Sequence, residues 1–508
     1  MKTVFPPAIY LLCLLTYYSC QKTNMLQMEN AAVNTGSLAT DVAAIYPFGV
    51  SRLFGDNMVI QRDKPASVWG TAPAGKTLYI KASWINNTDT AIAGKNNQWL
   101  ATLPAAPANA TPQQLYITDG ANTVTFSNIL IGDVWICSGQ SNMVMPVDSV
   151  VPPFGGFNGV VNYQQEIAAA NWPLLRLISL QPDFAVKPAY DLNYPASWSS
   201  CDPNTVRAYS AVAYFFGRKI MTTLQVPVGL VVSAVNGSAC QWWTNKKSVQ
   251  SDPVLNAYYT GDSVSRLFNG MINPLKLMAV KGFIWYQGEA NHTDQPVSNY
   301  TRLNSALIKG WRNQFGQGRL PFYFVQVAPF DYNWSNGRSN PSDNKDAFFR
   351  EAQAKVRSVS NTGMAVTMDV GDVTHIHPKD KAPVGERLAL LALHHVYGLA
   401  VQDVGPQYAS CTFNTRTATI RFAGSSATGL TTKNNGALAQ YFFVAGADSI
   451  FRQASATISD NKMLVTASPD TPLPLLSVRY AFTNFPITNL QNAAGLPMEP
   501  FRTDAWTR

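Results

Sequence analysis

Between residues 46 and 128 apolar and polar positions alternate in short runs: Ser67-Val68-Trp69, Thr77-Leu78-Tyr79-Ile80-Lys81-Ala82, Gln114-Leu115-Tyr116-Ile117 and Thr123-Val124-Thr125-Phe126, each broken off by Gly, Pro or Asn. A period of two with evenly spaced turn residues predicts half-buried strands, and their number and spacing predict a β-sandwich. From residue 129 to 404 the pattern changes. Continuous apolar runs (Val228 to Val235, Phe283 to Tyr286, Phe322 to Val327, Met364 to Met368) are the pattern of strands covered on both faces. Helical spacing appears between them, around Ser210 to Thr223, Tyr300 to Phe315 and Val384 to Tyr397. Buried strands alternating with helices predict an α/β domain with a parallel sheet. Short strands return after Gly405 (Thr417 to Arg421, Gln440 to Val444, Leu464 to Ala467, Ser477 to Tyr480), predicting a second β-rich, sandwich-like region over 405–508.

The chain begins differently. Lys2 precedes an apolar run from Ala8 to Tyr18, far shorter than the roughly 20 residues that cross a bilayer as a helix, so residues 1–20 read as a cleaved export signal. The run closes on Tyr17-Tyr18-Ser19-Cys20, where a Cys after a small residue resembles a bacterial lipoprotein signal. Two readings stand: a periplasmic or cell-surface lipoprotein lipidated on Cys20, which would be its one contact with a membrane, or a secreted protein. Residues 21–45 are polar and rich in small residues, as in a linker.

Composition excludes several classes. Of 508 residues 46% are hydrophobic and 13% charged, with 25 Phe, 21 Tyr and 12 Trp, which is far from a disordered chain. The net charge of +8 is spread thinly, and without a dense basic cluster no nucleic-acid partner is expected. Outside the leader stand Cys137, Cys201, Cys240 and Cys411, too few and too far apart for a disulfide scaffold and without a C-x-x-C pair, though one or two bridges stay open.

A hydrolase working without metal needs a nucleophile, a base that is neutral near pH 7 and donors for an oxyanion. The chain holds five histidines. His394 and His395 fall within the apolar helix that begins near Val384 and read as packed or surface side chains. His375 and His377 follow a strand in the loop Gly371-Asp372-Val373-Thr374-His375-Ile376-His377-Pro378, where α/β folds concentrate function. As an H-x-H pair they lack the third ligand that zinc requires. A serine candidate lies in Cys137-Ser138-Gly139-Gln140-Ser141-Asn142-Met143, where a buried strand runs into a Gly-containing turn. Ser141 there is either an exposed nucleophile at a strand-to-helix corner or the cap of the next helix.

Gly139-Gln140-Ser141-Asn142-Met143, Trp285-Tyr286-Gln287-Gly288-Glu289-Ala290-Asn291 and Ile376-His377-Pro378 with Lys381, Val384-Gly385 and Arg387-Leu388-Ala389 resemble the signature blocks of the sialate O-acetylesterases, a branch of the SGNH hydrolases. The resemblance continues through Asn57-Met58-Val59-Ile60-Gln61, Asn269-Gly270-Met271-Ile272, Trp311-Arg312, Arg350-Glu351-Ala352-Gln353 and Gly495-Leu496-Pro497. It implies an SGNH-type α/β/α catalytic domain over 129–404, flanked by β-rich regions at 46–128 and 405–508. It implies Ser141 as nucleophile and His377 as its base. It further implies an oxyanion hole made by the N–H of Ser141, the N–H of Gly237 in Ser233-Ala234-Val235-Asn236-Gly237-Ser238, and the amide of Gln287. Gly237 also fits a simple turn glycine.

The third member of a triad is less plain, because the superfamily's Asp-x-x-His places Thr374, not an acid, three residues before His377. Asp372 stands three before His375, so two assignments compete: His375 in a literal Asp-x-x-His, or His377 with an acid at another offset, preferred because Pro378 and Lys381 complete its block. Asp372 is then the first candidate to orient His377, with Asp369 behind it; a backbone carbonyl or a Ser-His dyad is the alternative. Glu289 reads as a structural hydrogen-bonder. The implied reaction is removal of acetyl groups from an acetylated carbohydrate, O-acetylated sialic acid first, through an acyl-serine and without a cofactor. An acetylxylan or other polysaccharide esterase is the nearest rival, and a non-catalytic glycan-binding lipoprotein the more distant one.

Overall fold

Three parallel strands ending in step organise the site. In the computed structural model, which describes residues 47–150, 156–337, 339–340 and 343–506, the strand Thr123–Gly139 lies between Val228–Ala234 and Gly282–Tyr286. Gly139 is level with Ala234 on one side and Tyr286 on the other. The parallel sheet continues through Trp172–Ser179 beyond Val228–Ala234, and through Phe322–Val325 and Thr362–Ala365 beyond Gly282–Tyr286. The antiparallel strand Ser199–Cys201 closes one edge. After the central strand the chain lays down the outer strands of one side, returns to Val228–Ala234 beside it and then crosses to the other side, so Thr123–Gly139 marks the point where the winding reverses. In open α/β sheets ligands bind beside the carboxyl ends of strands at such a point.

The central strands are buried on both faces because they carry apolar residues at successive positions, and helices cover them. Ala211–Leu224 and Ala382–His395 pack together on one face with Trp135, Leu230 and Tyr323; Ser298–Phe315 packs on the other with Phe283, Trp285 and Phe322. This is the expected mixed α/β architecture with a mostly parallel sheet.

The first β region shares a strand with this sheet. Residues 123–131 pair antiparallel with Asn109–Thr118, while 133–139 enter the parallel sheet, so one 17-residue strand runs through position 128. A three-stranded sheet, Gly49–Val50, Ala66–Thr71 and Gln98–Leu103, contributes Val68, Trp69, Trp99 and Leu103 to the same core as Leu78, Ile80 and Ile117 of the facing strands. The C-terminal region consists mainly of two four-stranded sheets whose inner residues Ile420, Val465, Val444 and Val478 share a core. It is tied to the α/β layer by Arg357 with Glu499, by Arg502 with Glu351, and by Arg350, whose guanidinium donates to the carbonyls of Thr483 and Asn484.

Cys137, Cys201, Cys240 and Cys411 are all free thiols. The export signal, Cys20 and the linker to residue 45 lie outside the described residues. No helix among the described residues is long and apolar enough to cross a membrane.

Candidate active site

The central strand ends at Gly139 with φ +141. A Cβ there would stand 2.1 Å from the carbonyl oxygen of Tyr286, so only glycine lets the neighbouring strand approach this closely. The next residue uses that carbonyl: Gln140 N–H donates to Tyr286 O at 2.9 Å. The chain then enters a single helical turn, Ser141–Val144, with the N–H groups of Met143 and Val144 folded back on Gln140 O. The cap position belongs to Gln140 and has no side-chain cap bond, so the Ser141 hydroxyl does not cap the turn. As the first helical residue Ser141 also has an N–H that the helix itself cannot satisfy.

On one side the strand Val228–Ala234 leads into Val235, whose N–H donates to Gly139 O at 3.1 Å, and then into exposed Asn236 and Gly237. Gly237 has φ +65, while an added Cβ would meet nothing within 4 Å; backbone conformation rather than space calls for glycine. The loop is fixed by Ser238, whose Oγ donates to Val235 O at 2.7 Å and accepts from Trp243 Nε1 at 2.8 Å.

The amide of Gln287, on the other side, is engaged within the protein. It is fully buried; its Nε2 donates to Ser238 O (3.3 Å) and Asn291 Oδ1 (2.7 Å), and its Oε1 accepts from Tyr300 Oη (2.9 Å). Both amide hydrogens are bonded inside the protein in this arrangement. A different amide is free. Gln140 Oε1 accepts from the N–H groups of Gly288 (3.3 Å) and Ala290 (3.2 Å), which fixes the amide plane and leaves Nε2 without a partner among the described residues.

His377 arrives from the loop after the last parallel strand. The turn that carries Ser141 and this loop are joined through Asn142: its Nδ2 donates to Ile376 O at 3.0 Å and to Glu289 Oε1 at 2.5 Å, and its Oδ1 accepts from Lys381 Nζ at 2.7 Å. Lys381 Nζ also donates to Pro378 O at 2.7 Å. The residues flanking His377 are therefore tied to the residue that follows Ser141, Ile376 directly and Pro378 through Lys381. The imidazole is half-buried, with the Phe157 ring against it at 5.0 Å between centroids and an interplanar angle of 62°.

Neither acid reaches it. Asp372 accepts from Thr374 N–H (2.8 Å), Thr374 Oγ (2.9 Å) and His375 N–H (3.2 Å), and its other oxygen lies 3.2 Å from His375 Nδ1. The literal Asp-x-x-His thus closes on exposed His375, three positions on within the same turn. Asp369 makes a buried bidentate pair with Arg387, both bonds 2.7 Å. Partial burial works against the Asp372 anion, yet its bonds to Thr374 and His375 hold the carboxyl below the usual range.

Burial, with the Lys381 cation added to it, pushes the His377 imidazole down to about 4. Burial likewise brings Lys381 down to about 7 against the attraction of Glu289 and Asp380, and pushes the Glu289 carboxyl up against its bonds and Lys381. At neutral pH His377 is a neutral imidazole, the protonation state that accepts a proton from a hydroxyl. Gln140, Asn142 and Lys381 lie within the signature strings, but their type and spacing indicate no role; Phe157, in a short hairpin strand, carries no sequence signal at all.

A family model described as "Carbohydrate esterase, sialic acid-specific acetylesterase" matches residues 131–394. The chain belongs to this family. It is 30% identical over 395 residues to a sialate O-acetylesterase of Homo sapiens, covering 71% of this chain and 73% of the relative, and 29% identical over 404 residues to one of Rattus norvegicus, covering 68% and 72%. Among solved structures, a carbohydrate acetylesterase from Xanthomonas citri, described as novel, superposes with a TM-score of 0.80 at 32% identity, over 90% of this chain and 100% of that one. This member of the sialic acid-specific acetylesterase family is an esterase hydrolase of carbohydrate type, and its family blocks converge at the carboxyl edge of the sheet.

Proposed function

We propose that this carbohydrate esterase removes O-acetyl groups from sialic acid by a serine mechanism of the SGNH type, with its α/β domain spanning about 129–404 between the two β-rich regions. Ser141 attacks the acetyl carbonyl and passes its proton to neutral His377, which returns it to the departing sugar hydroxyl; water activated by the same imidazole then releases acetate from the acyl-serine. His377 works in a dyad, because Asp372 and Asp369 are engaged elsewhere. The N–H groups of Ser141 and Gly237 steady the oxyanion, and the side-chain amide left free to assist them is that of Gln140 rather than Gln287.

The observation that carries this reading is the shared end of three strands at Gly139, Ala234 and Tyr286 together with the Asn142 bonds to Ile376 and Lys381. Nucleophile, loop donor and base thereby leave the sheet at one edge. The protein is read as exported, with a lipid on Cys20 or as a secreted enzyme.

The test is acetate release from O-acetylated sialic acid and from acetylated xylan by wild type and Ser141→Ala. Preference for the sialic acid and a loss on the order of 10⁶ in kcat in the variant are expected. Preference for xylan would overturn the substrate reading, and full activity in the variant would overturn the mechanism.

A further inference from the structure

A second group of ligating side chains lies at the far end of the helix Ala382–His395, whose first residue follows Lys381 of the site above. Fourteen residues at 1.5 Å each put about 21 Å between the two ends. The helix closes with His394 and His395, their rings edge to face with centroids 4.6 Å apart. Asp403, from the segment that leads into the C-terminal β region, meets them there. One ligand atom from each of the three residues lies within 4.8 Å of the others.

Three details separate this cluster from an ordinary ion pair. His394 Nδ1 lies 3.0 Å from Val401 O, and a carbonyl can only accept, so the proton sits on Nδ1 and Nε2 keeps a lone pair. Metal-bound histidines are held in this way by a backbone carbonyl on the other ring nitrogen. His395 Nε2 comes within 2.8 Å of Asp403 Oδ2, yet that oxygen is sealed from solvent and has no hydrogen-bond partner, so the two atoms meet out of line. The Asp403 side chain is only 10% exposed. Beside it the Tyr323 hydroxyl is likewise sealed without a partner, and burial together with the Asp403 charge pushes its pKa up.

We propose that His394, His395 and Asp403 form a binding site for a divalent transition-metal ion of zinc-like preference. Two imidazoles and a carboxylate are the donor set such ions take, with a fourth position for water. Tetrahedral bonds of roughly 2.0–2.1 Å place neighbouring ligands about 3.3 Å apart, a spacing that small side-chain rotations reach from this arrangement. The ion fastens the end of the helix to the crossing segment, whose Val401 and Val404 pack on the α/β core. Its role is structural, remote from Ser141.

The test uses the full chain without an affinity tag, stripped with a chelator and titrated with zinc chloride against a chromophoric zinc indicator. One ion per chain with Kd below about 1 μM is expected, weakened at least about 100-fold in His394→Ala, His395→Ala and Asp403→Asn. Zinc raises the unfolding temperature of the wild type and not of the variants. Acetate release stays the same in the zinc-free, zinc-loaded and variant proteins, which separates failure of this site from failure of the catalytic reading. Absence of stoichiometric binding, or equal binding by wild type and all three variants, would overturn the proposal.

Discussion

Lys381 Nζ donates to Asn142 Oδ1 at 2.7 Å across 239 positions of the chain, and both groups are buried. Through this bond the turn that carries Ser141 and the loop that carries His377 are held by one pair of side chains. Asn142 suits the position because an amide both donates and accepts: it gives hydrogens to Glu289 Oε1 and Ile376 O while receiving one from the lysine.

Asn142→Ala strips a partner from a buried ammonium, a buried carboxylate and a backbone carbonyl at once. Orphaned buried polar groups cost about 1–3 kcal/mol, more when charged, so thermal unfolding shifts down by at least that equivalent. A displacement of the base of about 1 Å costs on the order of 10² in rate, so kcat falls by about this factor while KM changes little. A variant with wild-type kcat would show that the clasp does not position the dyad.

The Asp372→Asn variant separates dyad from triad. An acid that holds a catalytic imidazole is worth about 10⁴ in kcat. Asp372 is bonded within its own turn, to Thr374 and His375, so the expected loss is less than about tenfold. A loss of about 10⁴ in steady-state acetate release would reinstate it as the orienting acid.

Sequence patterning carried much of the fold and less of the site. The alternation over Thr77–Ala82 matches the observed strand because one face packs and the other is wet. The long strand Thr123–Gly139 was not legible as one element: its first half is half-exposed and its second half covered on both faces, so the period changes midway, and Asn128 interrupts it with φ +56. The apolar run from Phe322 stops as a strand at Val325, since the N–H of Val327 is taken by the buried Gln353 Oε1 rather than by a neighbouring strand. At the site, blocks of residues were readable as strings, but which amide is free and which acid is spent depend on Ser238, Asn291, Tyr300 and Arg387, all distant or unremarkable in sequence.

The pH profile follows from His377. Its ordinary value of 6.5 is lowered to about 4, chiefly by burial and further by the Lys381 cation. The base must be neutral to act, so kcat/KM falls on the acid side near pH 4 and not near 6.5. A carboxylate partner would have moved the limb upward. The folded protein binds fewer protons at this residue than the unfolded chain between about pH 4 and 6.5, so His377 makes stability rise with pH through that window and contributes no penalty above it. Lys381, lowered to about 7, is charged throughout the acid limb. Lys381→Met therefore shifts the limb upward, yet leaves it below 6.5 because burial, the larger cause, remains. A limb at 6.5 or above in the wild type would refute the carboxylate-free base.

Two isosteric changes distinguish the amides. Gln287→Glu replaces a donor to Ser238 O and Asn291 Oδ1 with an acceptor, setting buried oxygens against each other; the expected result is a lower unfolding temperature, with activity lost through the displaced Gly237 loop. Gln140→Glu keeps an oxygen for the N–H groups of Gly288 and Ala290 and replaces the free Nε2 donor with a second, ionisable oxygen at a buried position. If that nitrogen assists the oxyanion, kcat drops by at least about 10²–10³, while the unfolding temperature falls less than in Gln287→Glu because the N–H groups of Gly288 and Ala290 still have their acceptor. Steady-state kinetics and thermal unfolding on both proteins decide the matter. Should Gln287→Glu retain its stability and lose about 10³ in kcat while Gln140→Glu stays active, the amide of Gln287 must swing out of its buried bonds when substrate enters, and the oxyanion assignment reverts to it.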